Sequence, residues 1–145
     1  MSTTAAAAGT HTQQSSSKGL RVALWILQVL LAVAFVGAGL AKLFTPIAEL
    51  GQNMAWVNAV PAGLVRFIGG AEFTGALGLI LPAVTRIKPG LTALAAAGLT
   101  TVMLLAAPFH LSRGEGGAIV PNLILGGLAA FVAWGRFKKA PIAPR

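Results

Sequence analysis

Glu72 stands as a single carboxylate inside the apolar run FIGGAEFTGALGLILP, Phe67 to Pro82. Lys42, Arg66, His110 and Asn122 are the other polar side chains set in or beside long apolar segments where they could do chemistry. An acid, an amine and an imidazole at membrane depth can pass protons or hydrogen-bond the oxygens of a buried molecule, so such groups are functional candidates by default. Lys42 with Glu72 also fits a plain clasp that sets helix register, and an ion pair alone does not separate the two roles. His110 is equally open: an interfacial histidine at the end of a span, or a relay or ligand contact. Asn122, directly after Pro121, reads as a first-turn amide that bonds a neighbouring helix. In the turn HLSRGEGG, Arg113 and Glu115 read as solvated.

Other chemistries lack their residues. There is no cysteine, which removes disulfides, thiol redox and iron–sulfur ligation, and two histidines are too few for a protein-built metal cage. No nucleophile–base pair and no nucleotide loop is visible, so no catalytic constellation can be named. The eleven Lys and Arg residues are scattered through apolar segments and form no stripe for a phosphate backbone, which argues against nucleic acid.

The elements that must position these groups are membrane spans. Of 145 residues, 56% are hydrophobic and 10% charged, against about a quarter charged in soluble domains, and the mean hydropathy is +0.80. Residues 1–19 are rich in Ala, Ser and Thr without apolar period and read as a disordered tail. Four apolar segments follow, at about 20–44, 62–81, 90–107 and 118–134, each near the ~20 residues that cross a bilayer. They make residues 20–138 one four-span domain, followed by a short tail at 139–145. Pro61, Pro82, Pro89, Pro108 and Pro121 fall near the ends of these segments. The expected fold is an all-α integral membrane four-helix bundle.

If the spans alternate, Lys18, Arg21, Arg86, Lys88, Arg136, Lys138, Lys139 and Arg145 share one side. Lys42, Arg66 and Arg113 share the other with Glu49 and Glu115. That bias places both termini in the cytoplasm. The loop Thr45 to Gly63 is semi-apolar and reads as an interfacial connector on the outer face.

Depth then follows from the helix rise. Counted from the inner basic residues, Lys42 lies roughly 31 Å up, Arg66 roughly 30 Å, His110 roughly 33 Å, and Glu72 and Asn122 roughly 21 Å. The polar groups therefore gather in the outer half, above an inner half that is almost purely apolar. Side chains lean towards the N-terminus of their own helix. Lys42 thus leans inwards and Glu72 outwards, across a gap of ~10 Å that the two can span together. Gly69, Gly75 and Ala76 share Glu72's face, and Ala38 and Gly39 share that of Lys42. Small residues let membrane helices approach closely, so these two faces are expected to meet. Gln28, near the inner end of the first span, reads as a helix–helix hydrogen bond.

The motifs GAGLAKLFTP, RFIGGAEFTGALGLILP and H…RGE…PN together resemble the DoxX-like family of small bacterial four-helix membrane proteins over roughly residues 20–138. The resemblance implies a four-helix bundle in the plasma membrane. It also implies a link to redox complexes: founding relatives are membrane subunits of a thiosulfate:quinone oxidoreductase, and others serve oxidoreductase complexes of the oxidative-stress response. Lys42, Glu72 and His110, with Asn122, match its polar pattern. Two functions follow as expectations. One is a redox-associated component that binds a quinone-like lipophile in the outer half of the bundle. The other is a non-catalytic accessory or assembly subunit, held to a partner membrane subunit or to copies of itself.

Overall fold

The protein's structure, a computed structural model, describes residues 17–145. Most of the expected N-terminal tail lies outside the described residues. From Ser17 onwards the chain is ordered by a helix cap, the hydroxyl accepting from the Leu20 N–H at 3.2 Å. The first helix, α1 (Lys18–Phe44), ends at Thr45, whose extended backbone is what the following Pro46 demands. A short α2 (Ile47–Asn53) and a 3₁₀ turn (Ala55–Ala59) fill the connection to α3 (Ala62–Thr85). Then come α4 (Gly90–Ser112) and α5 (Gly116–Trp134), the last prolonged by one π-helical turn, Gly135–Lys139. No strand occurs among the described residues.

Four of these helices are long and apolar enough to cross a bilayer, and a row of large apolar side chains on their outer flanks, such as Val33, Phe67, Leu104 and Leu105, stays exposed. A helix satisfies its own backbone hydrogen bonds, which is why lipid tolerates it. The protein is an all-α membrane bundle. α1 packs chiefly along α3, α4 along α5, and α3 against α4 joins the two pairs. Leu24, Leu31, Phe35, Leu79, Leu99 and Val132 meet at the centre, each almost fully buried.

Three prolines do not end their helices. Pro82, Pro108 and Pro121 lie inside α3, α4 and α5. Helix α3 runs on to Thr85 and stops only at Arg86, which adopts a left-handed conformation (φ 59°) while its N–H donates to Pro82. A proline deletes one backbone donor, a loss that packing on either side of it can outweigh in a membrane helix.

The α1–α3 contact is close enough to involve backbone. A Cβ on Gly39 would lie 2.8 Å from the Gly69 carbonyl oxygen, and one on Gly69 would lie 2.7 Å from the Lys42 Cβ. Only glycine allows this approach, and it is this approach that brings Lys42 and Glu72 together. The connection after α1 has a small core of its own, Leu50 and Val57 against Val65 of α3. It is therefore a folded cap over one end of the bundle.

Candidate functional site

Lys42 lies in the last turn of α1, and Glu72 lies near the middle of α3. Both are buried, and Nζ donates to Oε2 at 2.7 Å. Each helix supplies one charge from a face otherwise made of small residues, so the pair closes without lengthening either side chain's path. Arg66 takes a different place. Its Nη1 donates to the Lys42 carbonyl at 2.5 Å and to the Thr45 carbonyl at 2.8 Å. These are C-terminal carbonyls of α1, which no further helical N–H can satisfy, and a cation there also meets the negative end of the helix dipole. Arg66 caps α1 and does not line the cavity described below.

His110, on the last turn of α4, is buried, and its Nδ1 lies 2.7 Å from Glu115 Oε2. Arg113 Nε donates to the other oxygen at 2.8 Å, and its guanidinium sits over the Phe109 ring. The rings of Trp56 and Phe109 both meet the imidazole edge to face, at 6.2 and 5.7 Å between centroids. Arg113 and Glu115 are thus tied into the turn by these bonds while their side chains stay partly exposed to solvent. The hydrogen bond with His110, joined by the hydrogen bond and charge of Arg113, holds the Glu115 carboxyl below its ordinary range.

That direction sets a pH dependence. A carboxylate with a lowered folded-state value stabilises the fold above its unfolded value, near pH 4.3, and the contribution is lost as pH falls through the folded one. Acid should therefore loosen the 110–115 turn at pH below about 4.3 and leave it intact at neutral pH. Trp56 emission, measured with Trp25 and Trp134 replaced by Phe, should change in that acid window. The E115Q variant should show no such transition.

Between α3, α4 and the Trp56 segment lies a cavity of about 380 Å³. Lys42, Glu72, His110 and Asn122 supply its polar points, and apolar side chains such as Ile68, Val102 and Met103 supply most of its wall. Phe67 and Leu105, 72% and 70% exposed on the bundle's flank, line it too. The cavity therefore reaches the side of the bundle, where acyl chains lie. Its polar groups keep capacity in reserve. Asn122 Nδ2 is buried with no hydrogen-bond partner, whereas the sequence suggested a bond to a neighbouring helix. Glu72 bonds Lys42 through one oxygen only, and Glu115 occupies only Nδ1 of His110. In the tautomer that donates Nδ1–H to Glu115, Nε2 is left as an acceptor. The cavity thus offers a donor, an acceptor and a charged pair within apolar walls.

Trp56 and Phe109 form part of the site that sequence reasoning did not reach. The only signal for Trp56 was an aromatic in a semi-apolar loop, which suits a membrane interface equally well. Among the described residues no group of three or more His, Cys, Asp or Glu could hold a metal ion.

Fold and cavity define a small multi-pass membrane protein with one polar, side-opening chamber near one end. Residues 26–132 match the model of the DoxX-like family, and the chain belongs to that family. No curated protein and no solved structure matches it.

Proposed function

We propose that this protein holds a quinone-like lipophile in the cavity between α3 and α4, as a redox-associated component of the plasma membrane with both termini in the cytoplasm. The observation that carries the reading is the coincidence of a lipid-side opening with unused polar capacity inside it: Asn122 Nδ2, Glu72 Oε1 and His110 Nε2. Ligand sites are mostly apolar with a few placed polar groups, and this chamber has that composition. Asn122 donates to a ring oxygen. His110 accepts from a ring hydroxyl once the molecule is reduced, and Glu115 connects that imidazole to the surface turn. A quinone held there would supply the redox chemistry itself, and the chain's own part would be to orient it and to exchange protons at its oxygens. The inner location of both termini rests on eight basic residues at the terminal end against three at the other.

The test is thermal unfolding in mild detergent with a short-tailed quinone. At a hundredfold excess over Kd, binding to the folded state alone adds about 2.7 kcal/mol, an increase of several degrees in Tm. E72Q and N122A should each lose most of the increase while unfolding cooperatively. No quinone effect on the wild-type protein would remove the reading. A tightly co-purifying partner subunit, lost in E72A with ligand retention unchanged, would favour the accessory-subunit function in its place.

A further inference from the structure

The opposite end of the bundle holds a buried cation that the cavity does not explain. Arg136, in the π-helical turn after α5, is 6% exposed. Its Nε donates to Gln28 Oε1 at 2.6 Å, and Gln28 in turn donates to the Leu79 carbonyl at 2.7 Å. Nη1 donates to the Ala140 carbonyl at 3.2 Å, and the guanidinium lies over the Trp25 ring at 5.5 Å. Nη2 is buried with no acceptor. Every partner of this cation is neutral. Among the described residues no carboxylate is within ion-pair distance of it, and the three acidic side chains, Glu49, Glu72 and Glu115, belong to the other end or to the cavity. The charge of Arg21 bears on it as well. A desolvated guanidinium beside a like charge, with a donor left over, is short of an anion.

An apolar groove begins at the same place. Trp25, Ile26, Val29 and Leu30 line a shallow channel of about 320 Å³ on the outer face of α1. Trp25, under the guanidinium, is its end nearest the chain terminus, and the groove runs from there towards the middle of the span. A cation at the interface joined to a groove that leads inwards is complementary to a molecule with a phosphate at one end and an acyl chain at the other. A soluble anion would leave the groove bare.

We propose that Arg136 and Arg21 hold the headgroup phosphate of one anionic phospholipid, with an acyl chain along the Trp25–Leu30 groove. Arg21, exposed at the rim, makes the first contact. A phosphate oxygen drawn in behind it supplies the acceptor that Nη2 lacks, and charge-assisted bonds of this kind are the stronger ones. Gln28 holds the guanidinium in its plane, so part of the ordering is complete before the lipid arrives. The site is independent of the cavity reading.

The experiment reconstitutes the purified protein in nanodiscs of mixed phosphatidylglycerol and phosphatidylcholine and reads the lipids retained by native mass spectrometry. Wild-type protein should retain phosphatidylglycerol over phosphatidylcholine by about fivefold or more, the scale of one basic residue at a membrane surface. R136Q should reduce that ratio to near one. R21Q, which leaves the Gln28 contact intact, should lower it about fivefold and guards against a folding defect in R136Q. K138Q/K139Q, a loss of two exposed charges at the same end, should change it less than R136Q does, since neither lysine holds a buried donor that a phosphate oxygen would satisfy. Four results would overturn the site: no headgroup preference in the wild type, an unchanged ratio in R21Q, a loss in the lysine variant equal to that in R136Q, or displacement of the lipid by millimolar inorganic phosphate.

Discussion

Lys42→Met should lower the stability of the bundle by about 3–5 kcal/mol, because it strands a buried carboxylate. Glu72 is 3% exposed and its one strong partner is the Lys42 ammonium at 2.7 Å. Glu72→Leu should cost a comparable amount by stranding the ammonium in the same apolar setting. The double variant K42M/E72L, which removes both charges at once, should recover most of the loss, since apolar replacement of a whole buried pair is often neutral. Reversible unfolding in detergent–SDS mixtures measures all four corners of this cycle, and the coupling energy is the quantity to report. A double variant as unstable as either single would mean the two charges act separately. The same variant separates structure from function at the cavity: regained stability without quinone protection shows that the pair serves the ligand as well as the helices.

Gly69→Leu is the second large effect. A Cβ alone at this position would lie 2.7 Å from the Lys42 Cβ and 2.9 Å from the Gly39 carbonyl oxygen, the second of which is backbone and cannot rotate away. Helices α1 and α3 must separate, and with them go the Lys42–Glu72 pair and the Arg66 bonds to the end of α1. The cost should be about 3 kcal/mol, at the upper end for overpacking, and quinone protection should vanish with it. Gly70→Ala is the control. Its Cβ meets only the Leu43 Cδ2, at 4.0 Å, so it should be neutral or slightly stabilising by helix propensity, worth up to about 1 kcal/mol. A G69L protein with the melting behaviour of G70A would show that this contact does not hold the two helices.

Much of the site was legible because two simple quantities govern it. The 1.5 Å rise per residue places Lys42 and Glu72 at depths that side chains can bridge, and the backward tilt of Cβ makes them lean together. The small residues on both faces supply the remaining condition. Arg66 was misplaced for a related reason: depth alone groups it with the other polar residues, whereas its reach towards free carbonyls of α1 depends on the neighbouring helix. Arg136 was read as an interface charge, and the inner half as almost purely apolar. The π-helical turn instead rotates that side chain inwards onto Gln28, and a change in helix period leaves little trace in apolar patterning.

The presence of four helices able to cross a bilayer was legible in the sequence alone, since each helix meets its backbone needs within itself and lipid asks only for length and apolarity, whereas α3 and α4 run on past their expected ends to Thr85 and Ser112. The expected depth of each polar residue followed from the same helix rise. Which of those residues share a chamber was decided only by the tertiary structure. That required the folding of the Thr45–Gly63 connection over the bundle, so that Trp56 reaches His110, and the backbone-close packing of α1 on α3. Both are contacts between segments distant along the chain, and hydropathy and helical period carry no term for them.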